Sequence, residues 1–228
     1  MTQVKSKVAV IGIGNIGTAV ATNLAKGSRR VIIADRKMEK AIALSQKLGT
    51  LAQPLEISAA IKEADIIVFA VWFDGIKELL NKYADELGGK IIVDPSNPIA
   101  PDDKGGFKKI ISEKESAGGI LSSLLPKDAK LAKALGTLGV ASLANAAFQK
   151  PANVLFYATD DKSINEEIEQ LIRDNGFEPL RVGDIDQSIR LEVFGDLHEF
   201  GALGRTVSLS EAKEKLKTSH AAAIPNAN

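Results

Sequence analysis

The 228-residue sequence contains no cysteine. Disulfides, thiolate metal sites and cysteine nucleophiles are therefore excluded. Net charge is absent too, because 29 lysines and arginines balance 29 aspartates and glutamates. No excess positive charge favours binding to nucleic acid or to an anionic membrane. The motifs G-x-S-x-G, H-E-x-x-H and the P-loop do not occur, so we predict neither a metal site nor a catalytic side chain.

Long apolar runs are also missing. The longest, Ile66 to Phe73, is far shorter than the roughly 20 residues that a membrane-spanning helix needs. The polar N-terminus, MTQVKSK, leads directly into an apolar strand and lacks the pattern of a signal peptide. We therefore expect a cytoplasmic protein that has small-molecule partners and binds no membrane.

The segment from Lys7 to Arg36 organises the rest of the chain. An apolar run, Val8 to Ile11, precedes a full G-x-G-x-x-G, and a helical pattern follows it. In such a motif the first glycine permits a tight turn, the second lets a pyrophosphate approach the backbone, and the third lets helix and strand pack closely. The helix N-terminus adds free N–H groups and a positive dipole end. The residues predicted to bind a dinucleotide here are Gly12, Gly14, Asn15, Ile16 and Gly17.

Apolar strands alternate with helical patterns along the whole chain. This alternation predicts an α/β fold, a doubly wound, mostly parallel sheet of the Rossmann type with helices on both faces. We expect one NAD(P)-binding domain over residues 1–217, with a C-terminal βαβ unit and helical part from about residue 150, and a disordered tail over 218–228. Pro95 to Gly106 is rich in proline, aspartate and glycine and is predicted to be a loop. The segment from Asp186 to Arg205 is predicted to be mostly helical.

Asp35, Arg36 and Lys37 close the second predicted strand. An acid 18 residues after Gly17 suits the ribose hydroxyls of NAD, whereas a nearby arginine suits the 2′-phosphate of NADP. Arg36 can grip a phosphate and Lys37 adds positive charge. We therefore favour NADP, with NAD as the alternative.

Further candidates follow strand ends that meet at one edge of an open α/β sheet, where ligands bind. Trp72 and Phe73 follow one strand, and their rings are suited to cover a nicotinamide or a flat acceptor. Ser96 and Asn97 follow the next strand and offer hydroxyl and amide groups. At position 136 a glycine leaves room for a flat ring. The walls predicted for the acceptor are Trp72, Phe73, Asn97, Pro98 and the Gly136-Thr137 turn.

Several motifs, taken in order, resemble the family of NADP oxidoreductases that use the deazaflavin coenzyme F420, and the nucleotide domains of STEAP metalloreductases look related. VIGIGNIGTAVATNLAKG is similar to the family's phosphate turn, and Asp35-Arg36 occupies the place of a Ser-Arg pair that holds the 2′-phosphate. AVWF resembles its "VPW" strand end, VDPSNP its "VDATNP" loop, and KALGT its "KAFNT". The resemblance runs from about Lys7 to Arg205. It implies cofactor contacts from Ala70, Val71, Trp72, Ser96, Asn97, Gly136 and Thr137.

The resemblance implies a reductase, and the missing acid–base motifs favour direct hydride transfer between NADPH and a deazaflavin, a flavin or another small acceptor, since each cofactor carries its own chemistry. Two alternatives stay open. A non-catalytic module that senses NADP(H) would bind the nucleotide without turnover. An NAD(P)-dependent carbonyl reductase would need a proton donor, for which His198, Tyr83, Tyr157 or a lysine is available.

The segment from Ile189 to Leu209 carries apolar residues on several sides. A helix that is apolar nearly all round must be buried. We therefore expect a two-fold homodimer that covers this region, since symmetric dimers are the commonest assembly. The apolar residues concerned are Leu191, Val193, Phe194, Leu197, Phe200, Leu203 and Val207.

Overall fold

The computed structural model describes residues 5–222, with side chains to residue 217. The strands are β1 (Val8–Ile11), β2 (Val31–Ala34), β3 (Ala52–Pro54), β4 (Ile66–Phe69), β5 (Ile91–Asp94), β6 (Ile99–Pro101), β7 (Phe107–Lys109), β8 (Lys130–Lys133), β9 (Val154–Ala158) and β10 (Glu178–Gly183). The helices are α1 (Asn15–Lys26), α2 (Met38–Leu48), α3 (Ile57–Glu63), α4 (Phe73–Lys82), α5 (Ala84–Leu87), α6 (Ala117–Ser123), α7 (Val140–Asn145), α8 (Asn165–Asp174), α9 (Ser188–Leu191) and α10 (Leu209–Ala222).

One sheet of the described chain has the strand order β10-β9-β8-β5-β4-β1-β2-β3. The six neighbouring strands β8, β5, β4, β1, β2 and β3 are parallel to one another. At the other end of the sheet, β9 runs antiparallel to β8, and β10 runs parallel to β9. From β1 the chain adds β2 and β3 on one side and β4, β5 and β8 on the other. The carboxyl ends of β1 and β4 therefore flank the crevice where open α/β sheets bind ligands. The predicted doubly wound, mostly parallel Rossmann fold is confirmed.

Both faces of the sheet are covered, because alternate strand residues point to opposite sides. In β1, Val8 and Val10 face a core that includes α1, α2, α7 and α8, whereas Ala9 and Ile11 face a second core built with α3 to α6. Burial on both faces explains why the strands are continuous apolar runs in the sequence. A third core packs β9 against the C-terminal segment and α10.

The prediction of a mostly helical segment from Asp186 to Arg205 is wrong. The α-helix in it covers only Ser188–Leu191, and turns follow. Phe194 has a left-handed φ of 75°, and a Cβ added to Gly201 would lie 1.9 Å from the Gly195 carbonyl oxygen. Such a close backbone approach requires glycine, so the segment folds back on itself instead of continuing as a helix.

The apolar residues of this segment are largely covered by the chain itself, which removes the reason given above for a dimer. The four buried ones belong to the third core, while Phe194 and Phe200 are 56% and 59% exposed. On a helix these residues would point in several directions and could not all be buried against one surface. In a chain with turns they can be, because each turn changes the direction in which the side chains point. The buried residues are Leu191, Leu197, Leu203 and Val207.

The predicted loop from Pro95 to Gly106 is also partly wrong. The segment contains β6, which pairs antiparallel with β7 just after it to form a separate two-stranded hairpin. Pro101 ends β6 in this two-stranded hairpin, an edge position that tolerates the missing N–H of proline.

The last helix, α10, begins with a capping box, in which the Ser208 N–H donates to Glu211 Oε2 at 2.8 Å. It continues to Ala222, past residue 218 where the disordered tail is predicted to start. The part of the predicted tail after Ala222 lies outside the described residues.

Candidate dinucleotide and acceptor site

The glycine turn, residues 12–17, leads from β1 into α1. Gly12 has a φ of 98°, and a Cβ there would lie 2.6 Å from the Ala70 carbonyl oxygen. A Cβ on Gly17 would lie 1.9 Å from the Gly12 carbonyl oxygen, whereas no atom lies within 4 Å of the place that a Gly14 Cβ would take. Packing therefore requires Gly12 and Gly17, while Gly14 leaves open space at the start of α1, as a bound pyrophosphate requires.

An open cleft of about 460 Å³ lies beside this turn. Its lining includes Gly14 and Asn15 of the turn, Lys40 of α2, and Val140 and Ala144 of α7. A helix more than a hundred residues away in the sequence thus supplies one wall of the cleft.

Asp35, at the end of β2, is 9% exposed. Its Oδ2 accepts a hydrogen bond from the Ile13 N–H at 2.7 Å, and its Oδ1 accepts one from the Lys37 N–H at 2.9 Å. Arg36 and Lys37 themselves are exposed. The Asp35 carboxylate therefore fastens the glycine turn to the end of β2, and the neighbouring cations remain accessible.

The end of β4 meets the same turn. A Cβ on Gly12 would lie 2.5 Å from Val71 Cγ1, and one on Gly17 would lie 3.1 Å from Ala70 Cβ. Trp72 is 63% exposed, but Phe73 is 2% exposed and belongs to the second core. The expectation that Phe73 walls the acceptor is therefore wrong, because α4 starts at this residue and its buried side turns the ring into the core.

The ends of β5 and β8 also come together, as predicted. Asn97 Nδ2 donates to the Gly136 carbonyl oxygen at 3.4 Å, and Asn97 Oδ1 accepts from the Val193 N–H at 2.7 Å. Nearby in the sequence, the buried hydroxyls of Ser96 and Thr137 have no hydrogen-bond partner. Buried polar groups are nearly always paired, so two unpaired hydroxyls at this edge of the sheet are an unusual feature.

The room predicted at Gly136 is not present. A Cβ added there would lie 2.4 Å from the Pro95 carbonyl oxygen. Glycine is needed at this position because two backbone segments approach each other, and the approach of a flat ring does not explain it.

His198 is 1% exposed, and both of its ring nitrogens are engaged. Nδ1 accepts from the Phe200 N–H at 2.9 Å, so Nε2 carries the proton and donates to the Gly136 carbonyl oxygen at 3.0 Å. Burial lowers the pKa of His198 to about 4. The imidazole is therefore neutral at physiological pH and supports the Gly136 turn.

The two tyrosines considered as proton donors lie elsewhere. The Tyr157 hydroxyl donates to Glu169 Oε1 at 3.0 Å, and burial together with this carboxylate raises the pKa of Tyr157 above its usual value. Tyr83 follows the last residue of α4, and this ten-residue helix separates it from Trp72 by about 15 Å.

A buried ionic cluster at the same edge is not predicted from the sequence. Lys133, on β8, lies within 2.8 Å of Asp94 on β5 and within 3.6 Å of Glu192 after α9, and all three side chains are at most 3% exposed. Burial raises the pKa of Glu192, an effect that the Lys133 charge opposes. One feature of the sequence could have indicated the cluster. Lys133 lies inside the apolar run LAKAL, and a lysine is almost never fully buried unless it is paired.

Glu199 is a second residue that the sequence does not indicate. Its carboxylate accepts from the Gly139 N–H at 2.6 Å and from the Ser142 hydroxyl. It thereby satisfies an otherwise free N–H at the start of α7 and holds the helix that lines the cleft.

Among residues 5–217, whose side chains the structure describes, no group of three or more histidines, aspartates or glutamates is arranged to hold a metal ion. No helix in that part of the chain has the length and apolar character needed to cross a membrane.

Part of the chain matches a known protein family. Residues 7–98 match the family model described as NADP oxidoreductase coenzyme F420-dependent. This segment contains the glycine turn, the end of β2 and the loop after β5.

Three curated relatives are similar over parts of the chain. Glutamyl-tRNA reductase of Pyrobaculum aerophilum is 36% identical over 103 residues, which are 42% of this chain and 25% of the relative. The F420-dependent NADP reductase of Methanocaldococcus jannaschii is 30% identical over 104 residues, 41% of this chain and 46% of the relative. Metalloreductase STEAP3 of Rattus norvegicus is 26% identical over 186 residues, 82% of this chain and 36% of the relative. The chain thus spans less than half the length of each of these relatives.

A solved structure similar over most of both chains is that of the hypothetical protein SMa0349 from Sinorhizobium meliloti. It has a TM-score of 0.77 and 26% identity, and the alignment covers 89% of this chain and 95% of that one. The predicted resemblance is therefore confirmed: this is a Rossmann-fold chain that resembles the F420-dependent NADP oxidoreductases, most clearly over residues 7–98.

Proposed function

We propose that this protein is an NADP-dependent oxidoreductase that transfers hydride between NADPH and a small acceptor at the carboxyl edge of its sheet. The observation that carries the proposal is the glycine turn, in which Gly12 and Gly17 are fixed by packing while the space at Gly14 is open. When bound, NADPH supplies the hydride. The match of residues 7–98 to NADP oxidoreductases supports this assignment.

NADP fits the end of β2 better than NAD does. A ribose-binding acid accepts a hydrogen bond from the 2′-hydroxyl, whereas both oxygens of Asp35 accept backbone hydrogen bonds that direct the carboxylate toward the glycine turn and Lys37. Arg36 and Lys37 are exposed beside it, and Lys40 lines the cleft. Three cations around an inward-turned carboxylate suit a 2′-phosphate, for which arginine is the best ligand.

The residues proposed for the nicotinamide end are Ala70, Val71, Trp72, Ser96, Asn97, Gly136 and Thr137. Ser96 and Thr137 offer unpaired buried hydroxyls, and Trp72 offers an exposed ring. The acceptor is proposed to be a deazaflavin, a flavin or a similar flat molecule. The deazaflavin is supported by the similarity to the F420-dependent NADP reductase of Methanocaldococcus jannaschii. No protein acid or base is assigned, because an acceptor of this kind carries its own chemistry.

The contacts of the candidate proton donors argue against the carbonyl-reductase alternative. His198 is neutral with both nitrogens bonded, and Tyr157 donates to Glu169. Lys133 is buried and bound to Asp94. A carbonyl substrate would therefore lack a free proton donor among these three residues.

A homodimer remains part of the proposal on a narrower basis. Phe194 and Phe200 are more than half exposed, and a contact with a second copy of the chain would cover them. Light scattering at micromolar concentration should report twice the chain mass of 24.2 kDa, and a monomer would contradict this part of the proposal.

The decisive experiment uses NADPH deuterated at the transferring position of the nicotinamide. NADPH oxidation is followed with F420, FMN, a quinone, a ferric chelate and a simple ketone, and the reduced acceptor is examined by mass spectrometry. Deuterium on carbon C5 of the reduced deazaflavin is the expected result. For FMN, whose reduced N5–H exchanges with water, the expected result is a deuterium isotope effect on the rate of NADPH oxidation. Tight NADPH binding without turnover of any acceptor would identify a sensor, and turnover of the ketone alone would identify a carbonyl reductase.

A further inference from the structure

Lys133 holds the backbone of the loop that follows β5. Its Nζ lies 2.8 Å from Asp94 Oδ2 and also donates to the Ser96 carbonyl oxygen. The other Asp94 oxygen accepts from the Ser96 N–H at 2.7 Å. Both backbone polar groups of Ser96 are thus fixed by one buried ion pair.

The third charge comes from the C-terminal segment. Glu192 Oε1 lies 3.6 Å from Lys133 Nζ, and its carboxylate accepts from the Ala117 and Gly118 N–H groups at 3.1 Å each. The cluster therefore joins the ends of β5 and β8 to the start of α6 and to the segment after α9.

Stability alone does not account for this cluster. A buried ion pair costs desolvation, and replacing it by well-packed apolar residues is often neutral or stabilising. A lysine with two carboxylates at an otherwise apolar strand end instead fixes one geometry, because its hydrogen bonds are directional.

The loop that Lys133 fixes leads directly to the proposed nicotinamide end. Asn97, the next residue after Ser96, bonds to Gly136 and to the Val193 N–H, and His198 bonds to the same Gly136 carbonyl. The unpaired Ser96 and Thr137 hydroxyls lie on the two segments that meet there.

We propose that Lys133 is a positioning residue for hydride transfer. Together with Asp94 it sets the place of the Ser96-Asn97 loop against the Gly136-Thr137 turn, and so the orientation of the nicotinamide, without touching the cofactor. This inference rests on the proposed function. It adds a role for a residue that is 1% exposed and lies outside the glycine turn.

The test compares Lys133→Met with Lys130→Met, a matched change on the same strand. Lys130 pairs with Asp161 and with the Ser163 hydroxyl, outside the site. NADPH affinity is measured by calorimetry, and turnover is measured with the acceptor that the wild-type protein reduces fastest. Trp72 is the sole tryptophan of the sequence, so energy transfer from it to bound NADPH reports nicotinamide orientation without needing turnover.

For Lys133→Met we expect an NADPH dissociation constant within about threefold of the wild-type value, because the glycine turn and Arg36 are untouched. Turnover should fall about 100-fold, the effect of a small misplacement of reacting groups, and the energy transfer should change. Lys130→Met should match the wild type in all three. Unchanged turnover and energy transfer in Lys133→Met would overturn the positioning role.

Lys133→Met leaves two uncompensated buried acids and carries a risk of misfolding. The neutral variant Lys133→Met, Asp94→Asn, Glu192→Gln removes that charge imbalance. It should recover most of the thermal stability but not the turnover, because no group donates to the Ser96 carbonyl. Recovery of turnover together with stability would show that only charge balance matters and would overturn the inference.

A wild-type protein that binds no NADPH would overturn the proposed function and this inference with it. NADPH binding by the wild type, with turnover and energy transfer unchanged in Lys133→Met, would overturn the inference alone.

Discussion

The Asp35 carboxylate reaches back 22 residues to accept a hydrogen bond from the Ile13 N–H at 2.7 Å. This bond joins the acid at the end of β2 to the glycine turn that starts α1. An acid in this place can bind a ribose or shape the turn, and the two backbone hydrogen bonds of Asp35 serve the second role.

Asp35→Asn should therefore weaken the turn itself. An amide offers one acceptor oxygen where the carboxylate offers two, so one buried N–H loses its partner, at a cost of about 1–3 kcal/mol in the free energy of unfolding. Urea unfolding and calorimetry should show lower stability and weaker binding of both NADPH and NADH. Intact stability with a selective loss of NADH affinity would instead assign Asp35 to the ribose.

Arg36→Ala tests the choice of nucleotide. Loss of a charge-assisted contact to the 2′-phosphate should weaken NADPH by about 10- to 150-fold while NADH changes little. The control is Lys47→Ala, which changes an exposed lysine in the last turn of α2, the helix that follows Arg36. Titration calorimetry that finds equal losses for the two nucleotides would contradict NADP selectivity at this position.

Gly14→Ala and Gly17→Ala form a pair that separates binding from folding. Gly14 has a φ of −87° and no neighbour within 4 Å of an added Cβ, so the alanine variant should fold with nearly the wild-type melting temperature. It should nevertheless bind NADPH at least about tenfold more weakly, because the methyl group occupies the pyrophosphate space. In Gly17→Ala the Cβ would lie 1.9 Å from a carbonyl oxygen, and we expect severe destabilisation. Wild-type affinity in Gly14→Ala would show that this space is not a phosphate site.

His198 should make stability depend on pH. Its pKa is about 4 in the folded chain and about 6.5 when unfolded, so between these values the unfolded chain binds more protons. Stability therefore falls as the pH drops from 6.5 to 4, by about 3 kcal/mol from this group. The loss should be smaller in His198→Gln, measured by urea unfolding at pH 7 and pH 4.5. Identical pH dependence in the two proteins would show that the histidine is not buried as described.

Local chemistry determined much of this protein. The G-x-G-x-x-G and the alternation of apolar strands with helices are set by rules that act within a few residues, namely backbone sterics at glycine and burial on both faces of a parallel sheet. These rules gave the Rossmann fold, the glycine turn and the meeting of the Asn97 and Gly136 loops at one edge.

The rest was decided by contacts between distant segments. The sequence cannot show that Asp35 turns toward Ile13, that Gly136 is pressed against the Pro95 backbone, or that Glu192 meets Lys133. In these three cases the partner lies in another element, so its distance is fixed only once the sheet has assembled. A mostly helical segment was also predicted from Asp186 to Arg205, where close backbone contacts at Gly195 and Gly201 instead produce turns, and these turns bury four of the apolar residues.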